Sequence, residues 1–138
     1  MSVNIGDIVR VDYCDFDDLR KAKLEGTKPE LSTGLFLVYS IDSHQLKSFG
    51  GLKVCSRATS FEVPLLKNKF PFLDHDSYIN CICQFKFHED LVVHRLGMVD
   101  TTVLAKVRKQ LQNIGIDIDD KLEAEIKRQN IIAKINTR

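Results

Sequence analysis

The sequence predicts a mainly β chain of the α+β class, a small antiparallel barrel or strongly bent sheet with helices at its C-terminal end. Three observations predict it. Between residues 5 and 88 the apolar residues fall in short runs rich in Val, Ile, Tyr and Phe, separated by Gly, Pro, Asn and Asp. After residue 100 the apolar spacing changes to the three-and-four period of a helix. No internal repeat breaks this order, and 138 residues with 43% apolar content suit one domain with a real core.

Taken in order, IGDIVRVDY at 5–13 reads as a strand, its β-branched content outweighing an imperfect alternation. Residues 14–34 are polar and read as a long loop with a helical turn around Leu19–Leu24, ended by Gly26 and Pro29. GLFLVYSI at 34–41 is a continuous apolar run suited to a central strand. A hairpin turn is expected at Gly50-Gly51, followed by the return strand LKVCSRAT. FEVPLL at 61–66 is a short strand that Pro64 confines to an edge or bulge. After the turn-rich KNKFPFLDHD, SYINCICQFKFH at 77–88 alternates cleanly. It places Ile79, Cys81, Cys83, Phe85 and Phe87 on a core face, and Tyr78, Asn80, Ile82, Gln84, Lys86 and His88 on a polar one.

Asp100 or Thr101 caps an expected helix that carries Val103, Leu104, Val107, Leu111 and Ile114 and stops at Gly115. A final helix runs from Asp119 to about Ile135 with Leu122, Ile126, Ile131, Ile132 and Ile135. Its stripe is broken, which leaves loose packing, partner binding and terminal fraying all open.

Charge and composition narrow the function classes. Twenty Lys and Arg against 19 acids give a net charge of +1, so there is no global field of the histone-like kind, and any nucleic-acid site must come from local placement. The N-terminus lacks a basic segment followed by an apolar one, and no run of roughly 18 uncharged apolar residues occurs. A soluble, cytoplasmic protein is expected, without membrane association. Cys14, Cys55, Cys81 and Cys83 sit mostly in strand-like runs and read as reduced cysteines. Cys81-x-Cys83 lacks zinc spacing and has no second pair, so neither metal nor cofactor is expected.

The stretch KVCSRATS at 53–60 is unusual, an apolar strand that ends in a guanidinium and two hydroxyls. Residues two apart on a strand project to the same side about 7 Å apart, which pairs Arg57 with Thr59. One reading is a sheet margin where Arg57 reaches into water and pairs with an acid while Thr59 and Ser60 begin a turn. The other is a phosphate-gripping site, since a planar guanidinium holds phosphate oxygens in fixed geometry. On the late strand, Asn80, Gln84, Lys86 and Tyr78 offer amide, charge and stacking contacts to single-stranded RNA, although such a face is commonly just solvated. His75, His88 and His94 are proton carriers by type, but they are scattered and read as surface residues.

The order of four stretches resembles the MazF/PemK (Kid) family of bacterial toxins. GDIVRVDY at 6–13 is similar to the family's opening strand, FLVYS at 36–40 to its second, and KVCSRATS at 53–60 to the strand ending in a threonine. SYINCICQFKF followed by RLGMVDTTVLAKV is similar to its late strand, Leu-Gly turn and terminal helix. The resemblance spans roughly residues 5–112 and implies an SH3-like or CcdB-like barrel domain over 1–115, with 116–138 a helical extension beyond the family's usual end. It implies a homodimeric endoribonuclease that cuts single-stranded RNA without a metal, inhibits growth, and is neutralised by an antitoxin whose tail lies over the active groove.

The resemblance assigns catalysis to Thr59, which matches the family's threonine, with Arg57 standing in for an arginine. The family carries that arginine in an Arg-Pro pair before the second strand, where this chain reads Thr33-Gly34-Leu35. RNA contacts are expected from Ser60, Asn80, Gln84, Lys86 and Lys28, the last on the loop that covers the groove in the family. The alternative is a barrel of the same fold that binds nucleic acid or protein without catalysis, or serves as a dimer scaffold.

Overall fold

The computed structural model describes residues 2–14, 16–29, 31–42, 47–58, 60–118 and 120–136. The strands are β1 (Asp7–Tyr13), β2 (Ser32–Ile41), β3 (Ser48–Cys55), β4 (Glu62–Leu65), β5 (Ser77–His88) and β6 (Val92–Met98). The helices are α1 (Phe16–Glu25), α2 (Thr101–Ile114) and α3 (Asp120–Asn136), and a single 3₁₀ turn covers Glu89–Leu91. All six strands form one antiparallel sheet in the order β4-β5-β3-β2-β1-β6. The expected mainly β, α+β class therefore holds.

The sheet is curled into a barrel-like shape. Strands β1 and β5 stand three steps apart, which in a flat sheet means about 14 Å. Yet Tyr13 on β1 and Phe87 on β5 have ring centroids only 6.0 Å apart. Phe36 of β2 fills the space between them, with centroids 5.7 Å from Tyr13 and 4.7 Å from Phe87. Register shifts at β1–β6, β2–β3 and β3–β5 supply the bends, because an unpaired residue locally tightens strand twist. The curl buries apolar residues on both sides of β1, so Ile8, Val9 and Val11 are all fully buried.

α2 packs its expected stripe of Val103, Leu104, Val107 and Leu111 into this core. Asp100 Oδ1 accepts from the Val103 N–H at 3.0 Å, and Gly115 closes the helix at φ +89°, a conformation that favours glycine. α3 adds Leu122 and Ile126 to the core and is tied to α2 by the Arg108–Glu123 ion pair at 3.0 Å. Further along, Gln129 Oε1 accepts from the Thr101 hydroxyl of α2 at 2.6 Å, whereas Ile131 and Ile132 are exposed. The expected start at Asp119 lies outside the described residues, as do the side chains near Ile135.

Three expectations are corrected. The polar stretch after β1 is not a loop with one helical turn but helix α1, with Asp17 and Asp18 in its first turn, Lys23 in its last, and Ala22 buried. Gly50 and Gly51 do not form a hairpin turn. They are buried in β3, opposite Ser40 and Val38 on one side and Lys86 and Phe85 on the other. Glycine is needed there for close approach, since a Cβ on Gly51 would sit 3.1 Å from the Phe36 Cβ. Finally, Leu96-Gly97, expected as a turn, lies within β6 (Val92–Met98), the edge strand paired with β1. His94 and Arg95 are exposed on it, so its alternation is too weak to announce a strand. Pro64 does lie on the edge strand β4, where its missing N–H costs no ladder bond.

Candidate functional site

β5 carries most of the expected contact residues, and a break in its pairing decides which are usable. Opposite β3 the register passes from Leu52↔Gln84 to Lys53↔Asn80, leaving Cys81, Ile82 and Cys83 across a single step. Beyond that break β4 covers the other edge of β5, pairing Glu62 with Asn80. Asn80 is thus only 1% exposed, and its amide donates to the Cys55 sulfur. Its expected place on the polar face is corrected, because a strand sandwiched by two neighbours and the core buries the residue that the period-two pattern turns outward.

Gln84 and Lys86 do lie together on the exposed face. They wall a groove of about 500 Å³ with Tyr39, Ser40, Asp42 and Phe85. Lys86 Nζ stands 2.7 Å from Asp42 Oδ2, and Gln84 Nε2 donates to the Cys81 carbonyl at 3.1 Å. Both polar heads therefore already have partners.

Arg57 is elsewhere. Cys55, the last residue of β3, lies three positions beyond the partner of Gln84 and five beyond that of Lys86. At about 3.3 Å per residue those offsets are about 10 and 16 Å along the strand. Arg57 follows in the exposed bend after Cys55. It has no ion-pair partner among the described residues, so the expected sheet-margin pairing with an acid is not seen. Thr59 lies outside the described residues. Ser60 is exposed in the turn that follows, where Phe61 adopts φ +57°, a conformation that costs a bulky side chain energy and that commonly marks functional turns. Lys28 sits apart in a shallow depression of about 220 Å³ with Asp18, Lys21 and Glu25 of α1, a mixed-charge setting.

A second cavity of about 320 Å³, unmarked in the sequence, is lined by Ser56, the residue before Arg57. β2 contributes Thr33-Gly34-Leu35, and the end of β3 contributes Lys53 to Ser56. Arg10 of β1, His75 of the β4–β5 connection and Ser77 at the start of β5 also line it. A Cβ on Gly34 would sit 3.1 Å from the Phe36 ring. The Thr33 hydroxyl is committed to Asp12 Oδ1 at 2.6 Å. The signal that was available is two charges, Arg10 and Lys53, interrupting the apolar strand words IVRV and LKV.

Cys81 is the buried member of four free cysteines, and burial pushes its thiol up to about 12. Near the N-terminus Asp7 is 1% exposed, and burial holds its carboxyl above the ordinary carboxylate range. The Asn4 backbone N–H at 2.8 Å and the Arg95 guanidinium at 3.5 Å pull the other way. No group of three or more His, Cys, Asp and Glu among the described residues is placed to hold a metal ion. No helix among them is long and apolar enough to cross a membrane.

No protein-family model matches the chain, and no curated protein matches it in sequence. Solved structures do match the fold. A mycobacterial endoribonuclease in complex with its cognate antitoxin superimposes with a TM-score of 0.58 at 15% identity, over 84% of this chain and 98% of that one. A second mycobacterial endoribonuclease gives 0.55 at 14% identity, over 84% and 94%. At such identity the likeness is one of fold: the chain has the barrel-like fold of these toxin endoribonucleases.

Proposed function

We propose that the chain is a toxin-like endoribonuclease of the MazF/PemK kind, cutting single-stranded RNA without a metal, inhibiting growth, and neutralised by an antitoxin. One observation carries the reading. The two segments to which the family resemblance assigns the catalytic groups, Thr33-Gly34-Leu35 and the end of β3, meet in one cavity whose lining ends at Ser56, the residue before the exposed Arg57. Metal-free cleavage needs a cation at the phosphorus centre, where charge builds up in the transition state, and Arg57 is suited to that task. Thr59, two residues on, is assigned to the same site by the resemblance. Both fold neighbours are endoribonucleases and one was solved with its antitoxin, which supports the same partner here. We assign Gln84 and Lys86, in their separate groove, to holding RNA that runs past the cut. A cytoplasmic homodimer accords with this reading.

Two observations favour a non-catalytic binding module on the same fold: Lys86 is paired with Asp42, and the Arg-Pro pair is absent. Incubating the purified chain with a long single-stranded RNA in excess EDTA, beside Arg57→Ala and Thr59→Ala, separates the two. Cleavage by the parent that both substitutions abolish supports the nuclease. Intact RNA with a folded parent moves the assignment to the binding module.

A further inference from the structure

The register shift on β2 falls at Tyr39. Val38 pairs with Gly51 and Ser40 with Gly50, which makes Tyr39 the extra residue of a bulge. A bulge re-aims side chains, and this one brings Tyr39 and Ser40 together over Gly50. A Cβ on Gly50 would lie 2.9 Å from Tyr39 Cε1 and would run into the Ser40 hydroxyl. Glycine thus lets an aromatic ring lie down on β3, where any larger residue would push it off.

The polar groups around it stand on the same face. Ser40 pairs with Gly50 and Gly50 with Lys86, so the three form one row across β2, β3 and β5 whose middle side chain is missing. Gln84 lies two residues before Lys86 with no register break between them, and so shares its side. Gln84 Nε2 donates to the Cys81 carbonyl at 3.1 Å, which leaves Oε1 as an acceptor. Lys86 Nζ reaches across β3 to Asp42 Oδ2 at 2.7 Å, and with the lysine side chain 57% exposed this ion pair is of the weak, exchangeable kind. Phe49 and Phe85 also line the groove, but their rings are held against Phe87 of the core with centroids 5.8 and 5.6 Å away. Tyr39 is the ring that lies over the missing side chain. An aromatic platform, an edge acceptor and a cation are what sites for single-stranded nucleic acid combine, and about 500 Å³ is room for a nucleoside.

We propose that this groove is a base subsite: an unpaired base of single-stranded RNA stacks on Tyr39 over Gly50, an N–H on its edge donates to Gln84 Oε1, and Lys86 exchanges Asp42 for the adjoining phosphate. The proposal rests on the assignment of Gln84 and Lys86 to RNA for its ligand, and not on the cleavage step. It adds Tyr39, Ser40 and Gly50, to which neither the family resemblance nor the fold neighbours point. Gly50 stands five residues before Cys55 on β3, about 16 Å along the strand. The base held here is therefore not the one beside a bond cut at the far end of β3. It anchors the RNA at a distance, through binding energy from a part of the substrate that does not react. Stacking accepts any base, so the subsite fixes where the strand lies rather than which sequence it carries.

The test uses the full chain and Tyr39→Leu, Tyr39→Phe and Lys86→Met, each checked for an unchanged thermal transition. The probe is a short single-stranded RNA oligonucleotide, 2′-O-methylated at every residue so that it is not cut, beside a strand of the same backbone and length that lacks its bases. Affinity for both is measured across a salt series, and cleavage of the unmethylated RNA is followed in EDTA. The parent is expected to prefer the base-bearing strand. Tyr39→Leu, which keeps bulk without a ring, is expected to lose about 5- to 100-fold on that strand and less than about twofold on the base-free one, while Tyr39→Phe keeps the parent's preference. Lys86→Met is expected to weaken both strands alike and to lower the slope of log affinity against log salt by about 1. A Tyr39→Leu preference within about twofold of the parent's, or a parent that binds both strands equally, overturns the subsite, and a parent that still cuts RNA then leaves the nuclease reading intact. If Tyr39→Leu does not fold, an unchanged salt slope in Lys86→Met overturns the proposal in its place. A base preference that depends on Tyr39 in a parent that cuts nothing supports the subsite and overturns the nuclease reading. A parent that binds neither strand overturns the RNA assignment and the subsite together.

Discussion

Gly50→Ala tests the reinterpretation of Gly50 from turn residue to packing residue. Were Gly50 in an exposed turn compatible with alanine, the substitution would stabilise the fold by about 0.4–1 kcal/mol, because alanine restricts the unfolded chain. In β3, however, the new methyl group meets the Ser40 hydroxyl and lies 2.9 Å from the Tyr39 ring. Forcing a methyl into packed surroundings costs about 1–3 kcal/mol, so the net expectation is a loss of about 1–2 kcal/mol. With about 2.1 cal/mol/K of unfolding entropy per residue, a 138-residue chain loses about 3–4 °C per kcal/mol. The thermal midpoint should therefore fall by about 3–8 °C, read by circular dichroism. Ser40→Ala in the same chain removes the hydroxyl and should restore part of the loss, giving a coupling of at least about 0.5 kcal/mol in a double-mutant cycle. A midpoint that stays or rises, or two effects that simply add, would refute close packing at this position. Because Gly50 also lines the groove of Gln84 and Lys86, the same alanine narrows that groove.

Asp100→Ala removes the N-cap of α2 and should cost about 0.5–2 kcal/mol, whereas Asp100→Asn keeps an acceptor and most of the stability; equal losses in urea melts would discount the cap. For Asp7, a folded-state value raised above the unfolded one of about 3.8 means that the folded chain holds the proton more tightly. Its contribution to stability is then fully present below the unfolded value and is lost as pH rises through the folded one. Asp7→Asn should therefore gain on the parent as pH rises through the carboxylate range, and a stability gap independent of pH would contradict this. Iodoacetamide should label Cys14, Cys55 and Cys83 in the folded chain and reach Cys81 only on unfolding, which mass spectrometry of timed samples resolves.

Elements whose cause lies within a few residues were legible in the sequence. β5 spans the 77–88 expected from alternation. α2 begins at the Asp100 cap and ends at Gly115, because a carboxylate oxygen and a left-handed glycine act on the adjoining turn alone. Pro64 on an edge follows from a missing N–H. The barrel-like α+β class followed from the change of period near residue 100, a property of each stretch by itself.

The tertiary structure decided what depends on residues far apart in the chain. Gly50-Gly51 carries the local mark of a turn, and only the Phe36 and Tyr39 rings on the neighbouring strand explain why glycine is required within β3. Asn80 has an outward phase on a period of two, but the register break opposite Leu52 and the cover of β4 bury it. β6 is a strand because β1 pairs with it, not because VVHRLGM alternates. The gathering of Arg10, Lys53 and His75 around one cavity is the furthest from anything the sequence states, since it joins residues up to 65 positions apart. Local periodicity determines which way a side chain leaves its own backbone; which other side chains it meets is set by sheet curl and register, and those are fixed only when the strands pair.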